Sequence, residues 1–167
     1  MQIESLHAPE NLQLLIGWTS KPASTSQLVD KISLFKARRQ DDYHRFLEES
    51  KSCIQRMVDG FHQQDLERIK REIRYNRDLL KQLGANSGVD IEAPVLNRLC
   101  QIAEQFGGAA KTSGAGGGDC GIVAIDQNAD FNAVLKSWAQ NHIEQLPLNV
   151  HFISDIKRRV QQHLPLH

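Results

Sequence analysis

The stretch Lys111-Thr-Ser-Gly-Ala-Gly-Gly-Gly-Asp-Cys-Gly121 constrains this chain more than any other, because five of its eleven glycines fall between Gly114 and Gly121. Backbone without Cβ atoms reaches conformations closed to other residues and comes close to a ligand, and its free N–H groups can converge on an anion. Such a loop has to be framed by elements that hold it. The run Ile122-Val-Ala-Ile125 after it is short, apolar, rich in β-branched residues and closed by Asp126, which reads as a strand. Gly108 to Thr112 before it reads as a second strand. The loop then joins two strands, and that separates it from two familiar glycine loops. A P-loop carries Lys-Ser or Lys-Thr after its last glycine, where Asp119 and Cys120 stand here. Gly116 to Gly121 satisfies G-x-G-x-x-G, but a dinucleotide fingerprint opens a helix, and none opens at Ile122. The structural alternative is an ordinary glycine-rich turn.

Around this loop the chain reads as helices with a few strands. Leu12 to Thr19 is apolar and ends in the turn cluster Ser20-Lys-Pro-Ala-Ser24. Ser24, Thr25 or Ser26 can cap a helix whose apolar face is Leu28, Val29, Ile32 and Phe35. Asp41 or Asp42 is expected to cap a long helix with Phe46, Leu47, Ile54, Met57, Val58 and Phe61 on one side, broken around Gly60 to Gln64. Leu66, Ile69, Ile73, Leu80 and Leu83 mark a third helix ending near Gly84, and Val95, Leu99, Ile102 and Phe106 a fourth, stopped by Gly107-Gly108. Phe131, Val134, Leu135 and Trp138 predict a helix after the glycine loop. Pro147 to Phe152 alternates like a last strand, with a basic tail helix from Ser154 to Gln162. Strands and helices mix without β-α-β repetition, so the class is α+β: an antiparallel sheet covered by helices on one face.

The 167 residues fit a single domain, 1–167, able to bury a proper core. Zero net charge argues against nucleic acid or an anionic membrane as partner. No apolar run reaches the ~18 residues of a membrane span, and the first residues do not resemble a signal peptide. Three widely spaced cysteines, Cys53, Cys100 and Cys120, suit free thiols in a reducing cytoplasm. Without Cys-x-x-Cys or His-Glu-x-x-His, no metal site is expected.

Several polar residues stand out. Continuing Leu66, Ile69 and Ile73 places Asn76 on the apolar face of its helix, where a polar side chain needs a partner. Arg74 and Arg77 flank it, and an arginine fork suits a phosphate; the alternative is a structural bond or a salt bridge to Asp78 or Glu72. Ser50 interrupts its own apolar face and reads as a close-packing position. Lys111 can act as a mobile point charge beside the loop, and Ser113 adds a hydroxyl to the amides of Gly114, Ala115, Gly116 and Gly117. Ser24 and Thr25 lie at a helix start that can bind an anion, although capping explains them equally well. Trp18 reads as core, Asp119 as loop geometry, and Lys157-Arg158-Arg159 as a solvated face.

The sequence Lys111 to Ile122 resembles the third signature motif of the GHMP small-molecule kinases, and its Gly-Gly-Gly-Asp-Cys-Gly ending resembles the phosphomevalonate kinases among them. Ile16-Gly-Trp-Thr-Ser-Lys-Pro-Ala-Ser-Thr-Ser26 resembles a second segment of that family, with Ser20 where the segment usually has glycine. Arg74-Tyr-Asn-Arg-Asp-Leu-Leu80 resembles one of its helices. The resemblance implies a ferredoxin-like GHMP C-terminal domain and the transfer of a phosphoryl group from ATP, with Mg²⁺, to 5-phosphomevalonate. It places Lys111, Ser113 to Gly117, Ser24, Thr25, Arg74, Asn76 and Arg77 on the acceptor side and no catalytic residue in this chain. The family's nucleotide loop and catalytic aspartate have no counterpart here. The chain alone is therefore expected to be inactive and to need an N-terminal half, whose absence would expose an apolar face suited to homodimerisation. The alternatives are another GHMP kinase, such as a mevalonate kinase, or a non-catalytic ligand-binding or docking module.

Overall fold

The computed structural model describes residues 5–20, 25–114, 116–117 and 119–147, and of residues 25–27 the backbone alone. The elements run β1 (Leu12–Trp18), α1 (Thr25–Arg38), α2 (Gln40–His62), α3 (Leu66–Ser87), α4 (Pro94–Gln105), β2 (Ala109–Thr112), β3 (Cys120–Asp126), α5 (Phe131–Gln140) and β4 (Glu144–Leu146). All strand pairs are antiparallel, in the order β2-β3-β1-β4, so the first strand lies inside the sheet between later ones. Leu12 pairs with Asp126 and Trp18 with Cys120 at the two ends of the β1–β3 ladder.

Helix ends follow local chemistry. Asp65 caps α3 by accepting from Arg68 N at 2.9 Å, and Asp130 caps α5 by accepting from Ala133 N at 3.0 Å. Pro94, which has no N–H to leave unpaired, opens α4. The third helix continues past Gly84 to Ser87 and stops on Gly88, which takes the left-handed conformation with φ 68°. Neither Asp41 nor Asp42 caps α2; Arg39 holds that position without a side-chain bond, and both aspartates lie in the first turn. The last described strand is Glu144–Leu146, ahead of Pro147. The expected strand beyond Pro147 and the tail helix lie outside the described residues.

Strand alternation divides the sheet into two faces. Leu15, Val123 and Ile125 meet α4 and α5 through Leu96, Leu99, Ile102, Val134 and Trp138, all essentially buried. On the other face Ala109, Ala124 and Leu12 meet Ile69 and Ile73 of α3, with Met57 and Phe61 of α2. The antiparallel α+β architecture is as expected, but helices cover more than the one face anticipated. Ala109 and Ala124 are small enough to let α3 lie close. A third cluster joins Phe35, Leu83, Val89 and Ile91, with Leu28, Ile32 and Phe46 against it. Val29, Leu47 and Ile54, expected on buried faces, are exposed, because each helix here buries a narrower stripe than its apolar residues span.

Gly17 and Gly121 sit opposite each other on adjacent strands, directly beneath Leu99. A Cβ on either would come within 2.6 Å of a Leu99 methyl, and Leu99 is itself fully buried. Gly121→Ala is expected to lower stability by about 1–3 kcal/mol through overpacking. Adding Leu99→Ala should recover part of that loss, as read by urea unfolding of the single and double variants.

Candidate functional site

The glycine loop is fastened at three points. Ser113 N donates to Cys120 O at 2.9 Å, closing the β2–β3 hairpin. Gly117 N donates to Ile91 O at 2.9 Å, which ties the loop to the segment leading into α4. Asp119 closes the far end: its carboxylate accepts from the Trp18 indole N–H at 2.9 Å, and its carbonyl accepts from Thr19 N at 2.9 Å and Thr19 Oγ1 at 3.0 Å. Trp18 is therefore half-buried and serves the loop, a correction to its reading as core. Asp119 sets loop geometry, as expected.

Gly116 and Gly117 both take φ 86°, a region that glycine enters freely. A Cβ on Gly116 would also run into the Ile91 carbonyl. At the neighbouring turn Ser20 takes φ 59°, a left-handed conformation that glycine adopts at less cost. Ser113 and Gly114 are exposed at the loop surface, while Ala115 and Gly118 lie outside the described residues.

Lys111 stands on β2 opposite Ile122, on the sheet face that α3 partly covers. It is half-buried and makes no ion pair among the described residues. Desolvation holds its amine below the usual 10.5. Asn76 is half-buried on α3, and its side chain makes no hydrogen bond among the described residues. Arg74 Nη2 donates to Gly108 O at 2.9 Å, tying α3 to the start of β2.

Arg77 has a different role from the one expected. Its Nε and Nη2 grip both oxygens of Glu92 at 2.7 Å, and Nη1 donates to Glu104 at 2.7 Å. The side chain is 9% exposed and that of Glu92 5%. Both arms of the fork are filled by carboxylates, so Arg77 is not a phosphate ligand. Its partners are also neither Asp78 nor Glu72; Glu72 pairs with Arg56 at 2.9 Å. Hydrogen bonding to Glu92 raises the Arg77 pKa against the opposing effect of burial. Burial alone would raise the pKa of Glu92, but Arg77, Lys81 and Asn97 together hold it below the usual 4.5.

Lys111 thus lies on the sheet face against which α3, the helix of Asn76, packs, and Arg77 ties that helix to the segment before α4 and to α4 itself. Ser24 lies outside the described residues, and Thr25 opens α1. The Ile91 anchor and the Arg77 clasp had no local signal in the sequence, since their partners lie 15 to 27 residues away.

The family described as GHMP kinases C terminal matches residues 57–144, and the chain belongs to it. Among its relatives, phosphomevalonate kinase of Streptomyces sp. (strain CL190) is 39% identical over 148 residues, covering 87% of this chain and 40% of that protein. The crystal structure of a Lin0012 protein from Listeria innocua superposes with a TM-score of 0.84 at 35% identity, over 90% of this chain and 42% of that one. Streptococcus pneumoniae phosphomevalonate kinase in complex with phosphomevalonate and AMPPNP superposes with a TM-score of 0.72 at 31% identity, over 83% and 40%. The chain spans about two fifths of the length of these relatives.

Two outcomes follow from this geometry. Arg77→Met leaves Glu92 buried and uncompensated and is expected to lower stability by about 3–5 kcal/mol. In the parent chain, Glu92 contributes stability above its unfolded pKa near 4.5 that is lost as pH falls through its lower folded value. The variant should lose that part of the acid dependence, seen by chemical denaturation across pH 2–6. Gly116→Ala should displace the loop from Ile91 while leaving the hydrophobic clusters in place, so amide exchange at Gly117 speeds up although the melting temperature moves by only a few degrees.

Proposed function

We propose that this chain is the acceptor-side domain of an ATP-dependent phosphomevalonate kinase, which moves the γ-phosphoryl of MgATP to 5-phosphomevalonate and releases ADP. The observation that carries this reading is the three-point fastening of the glycine loop beside Lys111, in a chain 39% identical to a phosphomevalonate kinase. Phosphoryl transfer depends mainly on positioning and charge neutralisation. The loop offers backbone donors and Ser113, and Lys111 offers a cation with no carboxylate of its own. Thr25 and Ser24 at the start of α1 remain part of the proposed acceptor surface.

Among the described residues no group of three His, Cys, Asp or Glu side chains could hold a metal ion, and the glycine loop joins two strands. In this reading ATP, Mg²⁺ and the catalytic aspartate belong to an N-terminal half, with which this domain works in a reducing cytoplasm. Without that half, exposed apolar surface would favour homodimers. Among the described residues no helix is long and apolar enough to cross a membrane.

The test is ADP release from the purified chain with MgATP and 5-phosphomevalonate, before and after adding the N-terminal half of the Streptomyces relative. No turnover alone and turnover on mixing are expected. Activity of the chain alone that follows it through purification, or preference of the mixture for mevalonate, would overturn the reading.

A further inference from the structure

Residues 88–92 cross from the end of α3 to the start of α4, and the glycine loop rests on them through one carbonyl. Gly117 N donates to Ile91 O at 2.9 Å, and Gly116 leaves no room for a Cβ against that same oxygen. The segment is held along its length. At its start Gly88 takes φ 68° and Val89 N donates to Gly84 O at 2.9 Å, the left-handed close of α3. In its middle the Ile91 side chain is buried in the cluster of Phe35, Leu83 and Val89, and Ile91 N donates to Val89 O at 3.0 Å. At its end the two oxygens of Glu92 receive Arg77 Nε and Nη2, each at 2.7 Å, and Asn97 Nδ2 adds a bond at 2.7 Å.

Helix α4 does not need this carboxylate in order to begin. Pro94 opens it, Ala93 caps it without a side-chain bond, and Asn97 N donates to Ala93 O at 2.9 Å. The bonds of Glu92 run instead to side chains of α3 and α4, and they act on the residue just before it. The Ile91 carbonyl belongs to the rigid peptide plane that ends on the Cα of Glu92, so fixing Glu92 fixes the direction of that carbonyl. Gly116 and Gly117, both at φ 86°, have no side chains of their own to hold them there.

We propose that Glu92 is a positioning residue for the glycine loop: held by Arg77 and Asn97, it aims the Ile91 carbonyl at Gly117 and presets the loop conformation. Its consequence for the acceptor rests on the acceptor reading above. A loop freed from Ile91 has to be ordered when the acceptor binds, which weakens binding without removing any group that touches the ligand.

The test compares the ¹⁵N-labelled full chain with Glu92→Gln and with Arg77→Leu combined with Glu92→Leu. Glu92→Gln keeps the shape of the side chain and removes its charge. Amide exchange at Gly117 should speed up about tenfold, as loss of a hydrogen bond to a charged group predicts. Exchange at Ile69 and Val123, buried on the two sheet faces, should stay as in the parent. The double leucine variant should keep the parent's stability in urea, since an apolar pair replaces a buried ion pair well, yet leave Gly117 exchanging fast. Unchanged exchange at Gly117 in Glu92→Gln, an equal rise at Ile69 and Val123, or full protection of Gly117 in the double leucine variant would overturn the positioning role. In the mixture with the N-terminal half, Glu92→Gln should raise KM for 5-phosphomevalonate about threefold or more and leave KM for ATP alone. Gly117 released with KM for 5-phosphomevalonate unchanged would uphold the positioning of the loop and overturn the acceptor reading.

Discussion

The grip of Arg77 on Glu92 and Glu104 is the interaction on which the rest of the architecture depends. It joins the middle of α3 to the segment before α4 and to α4 itself, and so locks the helices of one sheet face to those of the other. Glu92 is flanked by Ile91, whose side chain lies in the helical cluster and whose carbonyl receives Gly117. The position of the glycine loop is thereby inherited from an ion pair that does not touch it. A buried pair of this kind adds little net stability over an apolar replacement, yet it fixes one arrangement, because every alternative leaves a charge without its partner.

A few features of the fold each carry a cost in stability. Ser20 holds a left-handed backbone, and among the described residues Lys111 is desolvated without a carboxylate partner and the buried Ser50 hydroxyl makes no hydrogen bond. Each lowers stability slightly, and elsewhere the fold satisfies its polar groups with care: Asp65 and Asp130 cap their helices, and Asn11 donates to Asp126 at 2.8 Å.

Much of this was legible in the sequence, and the gaps have physical causes. The strands around the loop and the helix that follows it could be read because glycine density and apolar periodicity are local signals, whereas the role of Asp119 followed from the family resemblance. Asn76 was noticeable because it broke a stripe. Ser50 broke a stripe too, but small polar residues sit between close helices so often that the break carried little information. Arg77 was left open between a phosphate and a salt bridge because a fork beside a polar helix face looks alike whether it awaits a phosphate or carboxylates 15 and 27 residues onward. Val29, Leu47 and Ile54 showed that apolar spacing marks the centre of a buried stripe better than its edges.

The division of labour between the two kinds of cation follows from their chemistry. A planar guanidinium suits fixed carboxylates at fixed distances, and Arg77 and Arg56 are spent in that way, while Arg74 is tied to a backbone carbonyl. An ammonium on a flexible stem can follow a group whose position changes as it reacts. On the proposed reading, the acceptor phosphate must be held firmly enough to be oriented, yet left able to shift as its oxygen attacks. Lys111 suits that requirement, since β2 is held by its pairing with β3 and the ammonium makes no ion pair among the described residues.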